Sequence, residues 1–384
     1  MTYKLPIAVT GLAIALGTLG QIPVEASTLN FDRMIVFGDS LSDTKNFYNL
    51  TGLLTGEPFP SRPFYSNRRF SNGKVWVEDL AKDLGLKNKV TNYAIGGSTS
   101  GSENLGLPGF PAGLKQQIDL YQLSTIGRSA DPDDLYILWS GSNDLFGGME
   151  ELQSGSITPE SLIQNTLNNV SNSLTVLANK RANNVLVPNL ADLGGTPLGQ
   201  NSAPQMLSFL TQSYNARLAG KLEELSQRFP ETNFISFDVN SLFNEVATAP
   251  ERFGLTNTTE ACTNTNLYVP NFSPDMLDPS KLTICDRPNK YLFWDSVHPT
   301  KAAHRIIADA AWDVLKSELG YLEAASEKGQ LELLSASTVQ LPTTASAISQ
   351  ASLTVSEPNA ASSLMTFGVL GGLAIWRFRN RLQQ

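Results

Sequence analysis

Ser40 stands in the run Phe37-Gly38-Asp39-Ser40-Leu41-Ser42-Asp43, just past a glycine that closes a short apolar segment. Far along the chain, Phe293-Trp294-Asp295-Ser296-Val297-His298-Pro299-Thr300 sets a carboxylate and an imidazole three residues apart. A serine hydroxyl is almost never ionised at neutral pH, so as a nucleophile it needs a base within reach. The chain has only two histidines, His298 and His304. On a helical turn Asp295 and His298 would share a face, and the carboxylate could orient the ring and stabilise its protonated form. These types and spacings describe a Ser–His–Asp hydrolase with the roles in the chain order Ser, Asp, His. Pro299 suits the start of a following helix and leaves His298 in the loop before it. His304 falls inside that helix, as a packing or surface residue.

An acyl-transfer site also needs donors for the developing oxyanion. A helix beginning after Ser40 would aim backbone N–H groups at the serine. The run Asn92-Tyr93-Ala94-Ile95-Gly96-Gly97-Ser98-Thr99 has a double glycine where a backbone N–H can approach a ligand closely, and Gly141-Ser142-Asn143-Asp144 offers a side-chain amide. Taken singly each segment reads as a turn. Gly-Asp-Ser is a common turn tripeptide, and Asp39 and Asp43 could simply cap a helix. The Gly-x-Ser-x-Gly elbow of α/β-hydrolases is absent.

The elements that must position these residues alternate. Strands are expected at Met34–Phe37, Val90–Ala94, Leu135–Trp139, Asn184–Pro188 and Asn233–Phe237. Helices are expected at Val75–Leu84, Gly113–Ile126, Pro159–Lys180, Gln205–Phe229 and Thr300–Leu319. Such alternation predicts an α/β fold, a parallel sheet wrapped by helices on both faces. Sites in these sheets lie at the carboxyl ends of the strands, and Ser40, Gly97 and Asn143 each fall just past one.

Four blocks, FGDSLSD, NYAIGGST, GSND and DSVHPT, occur in that order. With them the chain closely resembles the GDSL esterase/lipase family, the SGNH hydrolases, from about Arg33 to Leu319. Arg69-Phe70-Ser71-Asn72-Gly73 with Trp76, and Val187-Pro188-Asn189-Leu190-Ala191-Asp192, also fit. The resemblance implies a three-layer α/β/α fold with a central parallel sheet of about five strands. It implies Ser40 as nucleophile, His298 as base and Asp295 as orienter, with the Ser40 N–H, the Gly97 N–H and the Asn143 amide as the oxyanion hole. Gly97 is chosen by register, with Gly96 as its alternative. Lys45 stands where close relatives often have glycine. No cofactor and no metal are implied. The expected function is a carboxylic ester hydrolase acting through an acyl-enzyme on Ser40, with an acyltransferase or glycan O-acetyl esterase as the alternative.

The 384 residues, 41% hydrophobic and 17% charged, suit an ordinary globular interior. A net charge of −8 argues against nucleic-acid binding, which wants a basic face. The ends read as additions. Residues 1–26 resemble a secretory signal: Lys4, an apolar run from Leu5 to Leu19, and Val24-Glu25-Ala26 before Ser27. The hydrolase domain is expected over 27–325 and a Ser/Thr/Ala-rich linker over 326–358. Residues 359–384 then form a hydrophobic anchor or sorting tag. Ala360 to Trp376 would span about 25 Å, against a hydrocarbon core of about 30 Å. Arginines at 377, 379 and 381 follow it. Ser356-Glu357-Pro358 with this segment resembles the PEP-CTERM tag of exported bacterial proteins, departing at Ser356 where a second proline is usual. Export would place Cys262 and Cys285 in an oxidising compartment, where they pair. The expected protein is therefore exported, at a cell surface or tethered to a membrane. Its partner is a small-molecule or lipid ester.

Leu53, Leu54, Phe59, Phe64, Tyr65 and Phe70 could wall an acyl chain or simply pack. The insert from Pro250 to Tyr291 could cover the site. Two readings from other classes are an inactive tethered binding module and a metal-dependent phosphoesterase on Asp39, Asp43 and His298.

Overall fold

The computed structural model describes residues 29–265 and 278–336, with side chains through residue 320. The leader and the C-terminal anchor or tag lie outside these residues. Five strands form one parallel sheet: β1 (Arg33–Gly38), β2 (Val90–Asn92), β3 (Asp134–Trp139), β4 (Asn184–Pro188) and β5 (Asn233–Phe237). Their order is β2-β1-β3-β4-β5. β3 is buried at every position, as expected of a strand covered on both faces.

The helices are α1 (Asn46–Thr55), α2 (Trp76–Asp83), α3 (Leu114–Ser124), α4 (Ser142–Gly147), α5 (Met149–Gln153), α6 (Pro159–Asn179), α7 (Pro197–Gln200), α8 (Pro204–Arg228), α9 (Val239–Thr248) and α10 (Lys301–Ala336). α10 packs on α2, while α6 packs on both α3 and α8, making the two outer layers of an α/β/α sandwich. A second, two-stranded sheet pairs β6 (Asn257–Ala261) with β7 (Tyr291–Phe293). Chain order reverses across the sheet between β1 and β3, and open α/β sheets form their sites in the crevice at such a point. Ser40 follows β1 and Asn143 follows β3, so the crevice opens between them.

The expected elements recur with shifted ends. β2 ends at Asn92, whose side chain accepts from the Ala94 N–H at 2.9 Å and donates to the Ser42 carbonyl at 2.8 Å, while Tyr93 N and Ile95 N still donate to Val36 O and Gly38 O of β1. α10 continues past Leu319 to Ala336, into the start of the segment expected as linker. α1 follows an Asp43 carboxylate that accepts from the N–H groups of Lys45, Asn46 and Phe47. Cys262 and Cys285 are bonded, and no free cysteine remains. Among the described residues no helix is long and apolar enough to cross a membrane.

His304 is wholly buried, and its Nδ1 accepts from the Trp76 N–H at 3.3 Å. Burial pulls its pKa down to about 3, and nearby His298 adds to the fall. The unfolded chain takes up this proton near pH 6.5, so the stability held by neutral His304 is complete above 6.5. It is lost as pH falls toward 3, at about 1.4 kcal/mol per pH unit. Burial acts oppositely on Asp39, Asp43 and Asp144, each pushed up to about 6, which add stability in acid that is lost as pH rises through 6. A His304→Asn variant should therefore lose less stability than the parent between pH 6.5 and 4. Urea midpoints across that range measure it, and identical pH dependence in both proteins would refute this account.

Candidate active site

Ser40 sits on a turn, not at a helix end. Asp39 builds the turn: its carboxylate accepts from Leu41 N at 3.0 Å and its carbonyl from Asp43 N at 2.9 Å. No helix begins directly after Ser40: α1 starts at Asn46, and the Asp43 carboxylate accepts from the Asn46 and Phe47 N–H groups at that end. Gly38 is required just before the turn, since a Cβ there would stand 2.6 Å from the Trp139 carbonyl oxygen. Buried Gln117 grips the same strand end, accepting from Gly38 N at 2.9 Å and donating to Gly38 O at 2.8 Å and to Ser98 Oγ at 3.0 Å. Nothing in the motif pattern pointed to Gln117, which lies in the first turn of α3.

His298 arrives on a loop rather than a helical turn. Phe293 and Pro299 form an antiparallel bridge, and Trp294 N donates to His298 O at 2.7 Å. Inside this loop Asp295 Oδ1 accepts from Val297 N at 2.9 Å and from His298 N at 2.7 Å. Asp295 Oδ2 meets His298 Nδ1 at 2.7 Å, and His298 Nε2 meets Ser40 Oγ at 2.8 Å. The three side chains thus form one hydrogen-bonded line, almost wholly buried. For Asp295, burial acts upward, but the charge and hydrogen bond of His298, with the Tyr65 hydroxyl and the Val297 amide, outweigh it and hold the carboxyl below its usual range. An ionised carboxylate behind an imidazole favours the proton on Nδ1, leaving Nε2 to accept from a hydroxyl.

The Arg69-to-Gly73 segment supports this loop from beneath. Ser71 Oγ donates to Pro299 O at 2.9 Å, Asn72 Oδ1 accepts from Lys301 N at 2.7 Å, and the Phe70 ring stacks on His298 with centroids 5.2 Å apart. Phe64, Tyr65 and Phe70 are buried, and none of them lines the crevice. Its walls come instead from Leu41, Phe146, Leu193, Phe243 and Phe293, with Ser40, Asn143 and His298. No described residue of the Pro250–Tyr291 insert lines it.

Gly97 and Gly96 differ in what their N–H groups do. Gly96 N donates to Asp43 Oδ2 at 2.9 Å. Among the described residues neither Gly97 N nor Ser40 N finds an acceptor. Gly97 has φ +75°, and an added Cβ would stand 2.7 Å from Asn104 Oδ1, so both conformation and space select glycine. Asn143 is buried, and its Nδ2 donates to Ser98 O at 2.8 Å, which fixes the amide beside the Gly97–Ser98 turn. Gly97 itself does not line the crevice, whereas Asn143 does. Asp144 anchors the turn beyond, accepting from Ser100 N at 2.8 Å and Ser100 Oγ at 2.5 Å.

Asp39, Asp43 and His298 do not gather as metal ligands, since Asp43 is taken up by four backbone amides. Among the described residues the acidic group with ligand-like spacing is Asp32, Asp131 and Asp133. It lies before β1 and β3, at the end of the sheet away from Ser40, and Arg33 contacts Asp131 at 3.6 Å.

The family model of GDSL-like lipases and acylhydrolases matches residues 34–311. Phosphatidylcholine-sterol acyltransferase of Aeromonas hydrophila is 27% identical over 331 residues, spanning 76% of this chain and 92% of that protein. Secreted effector protein SseJ of Salmonella typhimurium is 27% identical over 303 residues, spanning 78% and 67%. Among solved structures, a member of the lipolytic protein G-D-S-L family from Veillonella parvula aligns with a TM-score of 0.38 at 13% identity, covering 73% of this chain and 97% of that one.

Proposed function

The chain belongs to the GDSL-like lipase/acylhydrolase family and is a carboxylic ester hydrolase, and from that premise we propose that it works through an acyl-enzyme on Ser40. The observation that carries this reading is the unbroken Ser40–His298–Asp295 line, at 2.8 and 2.7 Å, opening on a crevice that Asn143 also lines. Ser40 Oγ attacks the ester carbonyl carbon while its proton passes to His298 Nε2, and Asp295 stabilises the imidazolium. The carbonyl oxygen, now negative, is received by the N–H groups of Ser40 and Gly97 and by the Asn143 amide. Collapse expels the alcohol, which takes the proton from His298. Water then gives a proton to His298 and attacks the acyl-serine, releasing the acid and restoring Ser40.

An alcohol in place of that water gives acyl transfer with the same residues. The name of the Aeromonas relative, an acyltransferase, supports keeping this second outcome. The apolar walls from Leu41, Phe146, Leu193, Phe243 and Phe293 favour an ester with an apolar acyl part over a bare glycan acetate. A p-nitrophenyl ester series of rising acyl length, run with and without an added alcohol, tests both points. Hydrolysis no faster than in buffer would overturn the reading.

Asn143→Ala should lower kcat by about 10²–10³, or about 2.7–4 kcal/mol, the usual loss on removing one oxyanion donor. Steady-state kinetics on a folded variant check it, and unchanged turnover would remove Asn143 from the mechanism.

The proposal extends to location. The signal-like residues 1–26, the Cys262–Cys285 bond and a relative named as a secreted effector support export of a hydrolase unit over 27–325. The tail over 359–384 remains our candidate for a sorting tag or anchor.

A further inference from the structure

We infer that Tyr65 is a positioning residue for the Asp295–His298 pair, an assignment that rests on the ester-hydrolase reading above. Asp295 is completely buried, so its charge must be met by donors. Among the described residues it has four. Val297 N and His298 N serve Oδ1, while His298 Nδ1 and the Tyr65 hydroxyl serve Oδ2. Three of these belong to the loop that carries Asp295 and would move with it. The Tyr65 O–H, at 2.6 Å, is the one donor from outside, reaching across 230 residues of sequence.

That hydroxyl is held in turn. Tyr65 is 2% exposed, and its ring meets Phe59 and Phe70 edge-on at 5.6 and 5.8 Å. Its backbone N–H donates to Ser61 O at 3.0 Å. The neighbouring Phe64 carbonyl accepts from Trp294 Nε1 at 2.9 Å, which ties the tyrosine segment to the residue just before Asp295. Trp294 also accepts at its carbonyl from Thr263 N at 2.9 Å, beside the disulfide-bonded Cys262. The carboxylate therefore has one oxygen fixed by its own loop and the other fixed by the body of the fold. Rotation of the carboxylate, which would turn Oδ2 away from Nδ1, is blocked by the Tyr65 hydroxyl.

The test is Tyr65→Phe in the full chain, which keeps the ring and removes one oxygen. Turnover of a p-nitrophenyl ester should fall about tenfold in kcat with KM within about twofold, the pattern of a lost orienting bond to a charged group. The thermal midpoint should stay close to the parent's because the ring packing survives. In ¹⁵N-histidine-labelled protein, with only two histidines to assign, the His298 Nδ1 proton should move downfield, because Oδ2 no longer divides its charge between two donors. Unchanged kcat with an unmoved proton would overturn the inference and leave Tyr65 as packing alone. A raised KM at constant kcat would overturn it in favour of a substrate-binding role. A parent protein no more active than Ser40→Ala would overturn the reaction itself. In that event the proton still decides whether Tyr65 holds the pair, independently of turnover.

Discussion

Ser40→Ala is expected to reduce kcat on p-nitrophenyl esters by about 10⁵–10⁶ and to abolish covalent labelling by an organophosphonate. The size follows from the way a nucleophile and its base act as a unit, so that removing the nucleophile alone forfeits nearly all their joint effect. What survives is binding and oxyanion stabilisation, and the Ser40 N–H that contributes to the latter is a backbone group the substitution retains. The fold should also survive. The Ser40 side chain makes one contact of consequence, to His298 Nε2, and the turn around it is built by Asp39. Mass spectrometry of the phosphonate-treated protein reads the label directly. Labelling that persists in the variant would move the nucleophile to another serine.

Asp295→Asn should lower kcat by about 10⁴ with little change in KM, because the substitution reverses the direction of one hydrogen bond. Oδ1 accepts from two backbone amides of its own loop, so the asparagine carbonyl oxygen is bound to stay there. Its Nδ2 must then occupy the Oδ2 position, where it donates. His298 Nδ1 becomes an acceptor and the ring proton shifts to Nε2, which can no longer accept from Ser40. The Tyr65 hydroxyl, left facing an NH₂ group, would lose its acceptor as well. Steady-state kinetics on the purified variant measure the loss. A deficit below about tenfold would show that Asp295 does not orient the base.

How much of this was legible in advance differs residue by residue. β4 and β5 are legible with their observed ends because each is a short β-rich run between polar residues; β4 is buried from Val185 to Pro188, whereas β5, at the sheet edge, leaves Ser236 exposed. Ser40 lies on the turn that Gly-Asp-Ser allows, and the helix that could follow it begins only at Asn46. Asp43 meets the first amides of α1, as its local position allows, while its carboxylate also takes the Gly96 N–H from another loop, a bond no local pattern announces. The Asp295–His298 spacing was noticed through helical periodicity, yet the two meet in a loop closed by the Phe293–Pro299 bridge. The aromatics between Leu53 and Phe70 were composition without direction; only packing decides that Phe70 faces His298 while Phe146 and Phe243 face the crevice.

By itself the amino-acid sequence determined the chemical types and their order: one serine on a glycine turn, one histidine with an aspartate three residues before it, a double glycine and a Ser-Asn-Asp, each after a strand. These are properties of short segments, governed by local turns and strand periodicity. Only the tertiary structure decided that Gly96 spends its N–H on Asp43 while Gly97 keeps its own, and that Tyr65 closes the shell around Asp295. Both depend on hydrogen bonds between loops far apart in sequence. The geometry of such bonds is set by how the loops stack at the carboxyl edge of the sheet, not by any residue's immediate neighbours.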